Sequence, residues 1–323
     1  MSQWKEIPIN QMKGFRIGHA QDEAHATGCT VILPDKKAVC GVDVRGGGPA
    51  SRENQLLNPL MSNDGVDAVL LSGGSAYGLD AARGVMIWLE RQGKGVKVGN
   101  NVVPIVVGSC IFDLGCVDGS VRPDGNMGYK ACLDARKNEL RNGNVGAGMG
   151  ATVGKIYGAD RSMKSGLGCY AVQVGALQVA AVVVVNAIGD VYELDSQKRL
   201  AGLLSKDKTE MISSEEESVK LLQFASQFSL NTTIGAIITN ANLDKAEMNK
   251  VAAMASNGIA RTIRPVNTSM DGDSIYALSV GNVKSCADVV GTVAAHALGM
   301  AVNRAVLETE EIYGYKSARS FLK

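Results

Sequence analysis

The chain has 323 residues, 46% apolar and 20% charged, so it has the material for one sizeable core. A formal net charge of +1 excludes a general electrostatic role on nucleic acid or at a membrane surface. Seven scattered cysteines without a C-x-x-C pair, and an N-terminus that lacks an apolar leader core, point to reduced thiols and a cytoplasmic location. The 38 glycines fall in clusters and read as tight turns and close backbone approaches, not as a repeat.

Residues 14–45 read as β-structure. Gly14 to His19 is a short strand and turn, and Gly28 to Leu33 and Ala38 to Val44 are two strands joined at Pro34-Asp35-Lys36-Lys37. The loop Arg45-Gly46-Gly47-Gly48-Pro49 follows. Asp67 to Leu71 is a buried strand running into Ser72-Gly73-Gly74-Ser75, with a helix to about Gln92 for which Ser75 is the expected N-cap. Such a junction can hold an anion on free N–H groups, or simply pack a helix on a sheet. It has neither the Walker lysine nor the dinucleotide spacing. Asn144 to Ala151 fits G-x-G-x-x-A formally, but no strand precedes it; Gly154-Lys155 lacks the rest of a Walker loop. No nucleotide cofactor is expected.

Leu167 to Val174 and Gln178 to Val185 form a hairpin across Gly175-Ala176. The longest apolar run, Val179 to Val185, is too short to span a bilayer. The strand ends at Asn186, whose amide serves either a turn or a developing oxyanion. Lys206 to Glu217 is polar and acidic, the candidate for an exposed insert, and Val219 to Ala225 reads as a short helix. Asp244 to Ile263 has helical spacing, Asn267 to Ser274 is a polar turn, and Ile275 to Ser279 is a strand. Asp271 and Asp273 are plain turn residues or acids beside a site. Ala287 to Leu307 is a long apolar helix, in which His296 reads as packed. The order predicts an α+β fold, an αββα layered sandwich.

The remaining strand carries the candidate chemistry. Thr232 to Thr239 is β-branched and apolar, and it opens on Asn231-Thr232-Thr233 after the polar run. One reading is an ordinary strand start. The other is a cleavage site: a cut at Asn231–Thr232 leaves Thr232 with a hydroxyl nucleophile and its own α-amine, of pKa about 8, as base. Such a site needs no histidine, and the chain has only His19, His25 and His296.

Several blocks in the same order resemble the DmpA-like N-terminal-nucleophile aminopeptidases, the L-aminopeptidase/D-esterase and β-aminopeptidase group. They are Gly14 to His19, Thr27 to Val31, Gly41-Val42-Asp43-Val44-Arg45-Gly46-Gly47, Leu71 to Leu79, Val103 to Val106, Asn144 to Gly148, Val185-Asn186, Asn231 to Gly235 and Asp271 to Ser274. The resemblance implies a single domain, residues 1–323, that cuts itself into an α chain (1–231) and a β chain (232–323). It implies a hydrolase of small peptides, amides or esters acting through an acyl-enzyme on Thr232. Asn186 matches the family's oxyanion asparagine. Asp271 and Asp273, with Ser274 adjacent, fall where some members carry a serine and a glutamate, and one of the two acids would orient the amine or bind a substrate ammonium.

Members of this family use no metal or cofactor and usually form tetramers, so a homotetramer is expected. Three departures stand out. Asn267 sits where many relatives have histidine, Phe112 replaces a tyrosine of the better-characterised aminopeptidases, and residues 205–218 look inserted. Two other readings share the fold. One is acyl transfer of the ornithine acetyltransferase type; the other is a non-catalytic binding protein.

Overall fold

The computed structural model of the chain describes residues 4–139, 141–221 and 231–322. Alternation along the apolar strands sets the architecture. In the strand Thr232–Ala241, Ile234, Ala236 and Ile238 belong to one buried cluster, and Ile237 and Ala241 belong to another. This is the period of two of a pleated strand with a different layer on each face.

Two sheets result. The larger has the order Trp4–Glu6, Leu167–Val174, Leu177–Asn186, Thr232–Ala241, Ser274–Val283, Val39–Val44. All its neighbours are antiparallel except Thr232–Ala241 and Ser274–Val283, which run parallel. The smaller has the order Phe15–Asp22, Thr27–Pro34, Ala68–Ser72, Val106–Cys110, Ala50–Arg52. The helices are α1 (Ala81–Arg91), α2 (Gly125–Asp134), α3 (Ser214–Lys220), α4 (Lys245–Thr262) and α5 (Ala287–Leu307). Side chains from both sheets share one cluster between them; α1 and α2 cover the outer face of the smaller sheet, and α4 and α5 that of the larger. The layering is αββα, as the element order predicts. By length and composition α5 could cross a membrane, but 67% of its apolar window is buried in the protein.

The two strands joined at Pro34-Asp35-Lys36-Lys37 are present, Thr27–Pro34 in the smaller sheet and Val39–Val44 in the larger, so the turn crosses between layers. Three expectations need correction. Ser75 is not the cap of a long helix. Gly74 and Ser75 both take positive φ, a 3₁₀ turn spans Ser75–Asp80, and α1 begins only at Ala81. The polar run 206–217 is not simply an exposed insert. Ser214 is fully buried, and its N–H and hydroxyl donate to the buried Asp190 carboxylate. The short helix expected over 219–225 is α3, which starts five residues earlier, capped by Ser213; residues 222–225 lie outside the described ones. Other elements fall where the pattern puts them, α4 with a full capping box between Asp244 and Glu247.

The same alternation locates the site. Thr232 follows the parity of Ile234 and Ile238, Asn186 that of Val182 and Val184, and Ser274 that of Tyr276 and Leu278. All three therefore sit on the inter-sheet face, at one end of the sandwich. Below them Tyr276 ties the layers: its fully buried hydroxyl accepts from Ser109 of the smaller sheet and donates to Asn54 Oδ1, each at 2.7 Å. Tyr276→Phe leaves those partners unsatisfied and is expected to cost about 1–3 kcal/mol, read as a lower urea midpoint at unchanged m.

Candidate active site

The peptide between Asn231 and Thr232 is buried and held on both sides. The Asn231 carbonyl oxygen accepts the Gly272 N–H at 3.0 Å and also the Thr232 hydroxyl. Asn231 bridges Asp271 in parallel fashion, and Ile234 pairs with Ser274. The Asp273 carboxylate accepts the N–H of Thr233 and, at 3.1 Å, that of Asn267; Asp271 accepts the N–H of Thr268 at 2.7 Å. The Ser274 hydroxyl donates to the Gly272 carbonyl at 3.0 Å. The structure thus brings together Asn231, Thr232, Asp271, Asp273 and Ser274. The Gly46–Gly48 loop closes over them, Gly48 N–H donating to the Asp271 carbonyl; a side chain on Gly46 would meet that carbonyl oxygen at 2.3 Å.

Asn186 comes from the other neighbour. It stands directly opposite Thr232 in the antiparallel ladder and is fully buried. Its amide Nδ2 donates to the Phe112 carbonyl at 2.8 Å, and its Oδ1 accepts the Thr152 N–H at 3.1 Å. The amide is therefore fixed by backbone, with one of its two N–H groups committed.

Lys155 is the member of this cluster that the sequence reading passed over. Its ammonium donates to the Asn186 carbonyl at 2.8 Å. Burial pulls its pKa down to about 7, against the opposing pull of Asp271 and weaker contributions from Cys116, Asp113 and Asp273. Burial likewise pushes Asp271 up, and Asp273 is raised by burial and by the charge of Asp271. The signal in the sequence is a lysine within the apolar stretch 151–156, which is buried in the structure. A cavity of about 50 Å³, lined by Phe112, Asp113, Thr152 and Lys155 among others, adjoins the cluster.

The glycine junction at 72–75 has an internal occupant. Gly74 N–H donates to Asp113 at 2.6 Å, and the Thr27 hydroxyl donates to the same carboxylate at 2.8 Å. A side chain on Gly73 would meet Asp113 Oδ2 at 2.1 Å. Burial raises the Asp113 pKa against these hydrogen bonds. The junction binds an anion, as its geometry allows, but the anion is the protein's own.

The two-sheet sandwich with helices on both outer faces is a fold that solved structures share. A β-aminopeptidase from Burkholderia sp. superposes with a TM-score of 0.68 at 18% identity, covering 96% of this chain and 90% of the other. The L-aminopeptidase D-Ala-esterase/amidase of Ochrobactrum anthropi, described as a variant of the Ntn hydrolase fold, gives 0.68 at 18%, covering 94% and 86%. The family model of peptidase family S58 matches residues 8–320, and the chain belongs to that family. An uncharacterized aminopeptidase of Mycobacterium leprae (strain TN) is 39% identical, over 95% of this chain and 91% of its own. A 6-aminohexanoate-oligomer endohydrolase of Kocuria sp. (strain KY2) is 31% identical, over 84% and 74%. The protein is a peptidase/amidase.

Asp113→Ala strands the Gly74 N–H and the Thr27 hydroxyl. It is expected to cost about 1–3 kcal/mol for each, and Asp113→Asn less, because an acceptor remains; thermal melts of the two variants check the order.

Proposed function

We propose that the chain cuts itself between Asn231 and Thr232 and that Thr232 then hydrolyses amide bonds through an acyl-enzyme. The observation that carries this is the buried Thr232 hydroxyl against the carbonyl of the peptide it would attack, with the Gly272 N–H already on that carbonyl oxygen. In the precursor, Thr232 Oγ1 adds to the Asn231 carbonyl carbon and its proton passes to a neighbouring base. The negative charge develops on an oxygen that holds the Gly272 N–H, and the remaining N–H of the Asn186 amide is the second donor. The C–N bond breaks, the Thr232 nitrogen leaves as an amine, and an ester joins Asn231 to Thr232 Oγ1. Water cleaves that ester, giving an α chain (1–231) and a β chain (232–323).

Before the cut, the Thr232 nitrogen is an amide and cannot serve as base. Lys155, whose ammonium sits on the carbonyl of Asn186 opposite Thr232 and whose pKa burial lowers to about 7, is the proposed acceptor of that proton. After the cut the free α-amine takes that role, and Asp273, which accepts from the next residue, Thr233, steadies the strand start. A substrate acyl group then replaces Asn231: its amide bond breaks, the amine product leaves with a proton, and water releases the acid. The relatives named as aminopeptidases and as a 6-aminohexanoate-oligomer endohydrolase point to amide bonds of amino acids, α or ω. Aminoacyl amides, short peptides and 6-aminohexanoate oligomers form the test panel.

Intact-mass measurement and N-terminal sequencing are expected to find two chains, the smaller beginning Thr232-Thr233-Ile234. Thr232→Ala is expected to remain one chain of 33.8 kDa with no activity on the panel; activity in that variant removes Thr232 as nucleophile.

The pH dependence follows from the sign of the Lys155 shift. Below about 7 its amine is protonated and accepts nothing; above, it is neutral. The rate of self-cleavage should rise with pH to about 7 and then level, and Lys155→Met should lose this limb together with most of the rate. A wild-type rate that is flat from acid to alkaline pH would exclude Lys155 as the base.

A further inference from the structure

A second buried lysine lies behind the site and takes no part in the chemistry above. Lys164 is fully buried and makes no ion pair among the described residues. Its ammonium donates to three backbone carbonyls, those of Gly148 at 3.2 Å, Ala151 at 2.9 Å and Ser165 at 2.6 Å. All three of its protons are used. Burying an ammonium is costly, and burial lowers its pKa to about 8 against the opposing pull of Cys116 and Asp113. An apolar side chain of the same length would fill the space at less cost, but it would remove the one group that ties the three carbonyls together; Ala151 and Gly148 would keep only their backbone donors, the N–H groups of Ser165 and Ala151.

What the cage holds is the turn leading into Thr152. Gly148 ends the 3₁₀ turn Gly146–Gly148, Ala151 precedes Thr152 directly, and Thr152 pairs with Lys164 itself in a two-stranded ladder. The turn has no slack: a side chain on Gly150 would meet the Ala26 carbonyl oxygen at 2.1 Å. Thr152 N–H then fixes Asn186 Oδ1, and Asn186 stands opposite Thr232. An amide whose oxygen is pinned cannot exchange its oxygen and nitrogen ends, so Thr152, together with the Phe112 carbonyl on Nδ2, sets the direction of its second N–H.

We infer that Lys164 is a positioning residue for the Asn186 amide: an internal cation whose carbonyl cage fixes the Gly148–Thr152 turn, and through Thr152 the N–H that meets the oxyanion. The inference rests on the Thr232 reading. It names a residue that touches neither the substrate nor Thr232 and acts only through Asn186.

The test follows self-cleavage by mass in freshly synthesised full-length chain, so it needs no substrate. Asn186→Ala is expected to slow the cut by about 10²–10³-fold, and Lys164→Met by about 10²-fold through misplacement of the same donor. The double variant should be no slower than Asn186→Ala alone, because both changes remove one device. Lys164→Ala empties the cage, and n-propylammonium chloride should restore its rate where potassium chloride at equal ionic strength does not. Melting curves run beside each rate. If Lys164→Met and Lys164→Ala fold only with the amine, fold and rate must return together.

Cleavage of Lys164→Met at the wild-type rate, additive losses in the double variant, or an amine that restores the melt without the rate each overturn the inference. A wild-type chain that stays whole sinks the Thr232 reading, and this inference with it. A cutting wild type beside a cutting Lys164→Met sinks this inference alone.

Discussion

The site depends on one pairing, the parallel contact between Thr232–Ala241 and Ser274–Val283. Parallel strands begin at the same end, so residues forty apart in sequence start side by side. That brings Gly272 N–H onto the Asn231 carbonyl and the Asp273 carboxylate onto Thr233. On the other side the neighbour is antiparallel, so its end arrives at the same level and delivers Asn186. A parallel pair needs a long crossover, and α4 provides it while covering the outer face of the sheet. Hydroxyl, backbone donor, acids and amide therefore meet through strand direction, before any side chain chooses a rotamer.

The electrostatics follow from burial at that point. Asp113, Asp271 and Asp273 are each raised, and Lys155 is lowered, so acids and amine move toward each other on the pH scale. Protons in such a cluster belong to the group more than to single residues. Under the proposed mechanism this cluster does the work that the chain's three histidines do not. His19 is buried against Thr30, with its pKa near 4 from desolvation. His25 sits by Asp22, and the His296 ring packs edge-on to Trp4 at 4.9 Å. None lies among the residues that meet around Thr232.

Much of the fold was legible because its signals are local. The hairpin at Gly175, the capped helix α4, the apolar α5 and the strand opening at Thr232 each announce themselves over a dozen residues. The parts that were not legible depend on which layer an element joins. Around Pro34-Asp35-Lys36-Lys37 the pattern shows two strands, but local chemistry cannot report that the second joins the other sheet and pairs with Ser274–Val283. Ser214 looks exposed because its sequence neighbours are acidic, yet Asp190, far away in sequence, takes its hydroxyl. In the site, Thr232, Asn186 and the two acids were found through family resemblance and strand position. Lys155 and Lys164 were not, since a buried lysine has no pattern of its own. What marks it is a set of carbonyls and carboxylates contributed by other segments.

The same feature explains the glycine loops. At Gly73-Gly74 and around Gly146–Gly150 the backbone comes close enough to bind ions, the circumstance in which phosphate motifs are sought. Here the ions are side chains: the Asp113 carboxylate on Gly74 N–H, and the Lys164 ammonium among the carbonyls of Gly148, Ala151 and Ser165. Glycine is needed at Gly73 because the Asp113 carboxylate fills the space where a Cβ would lie, and at Gly148 and Gly150 because neighbouring backbone does. Ions that are part of the chain do not dissociate, so the loops beside Thr232 are held before any substrate arrives. Donors fixed in advance require little reorganisation when charge develops on the carbonyl oxygen, and the energetic cost of burying Asp113 and Lys164 falls on folding rather than on each turnover.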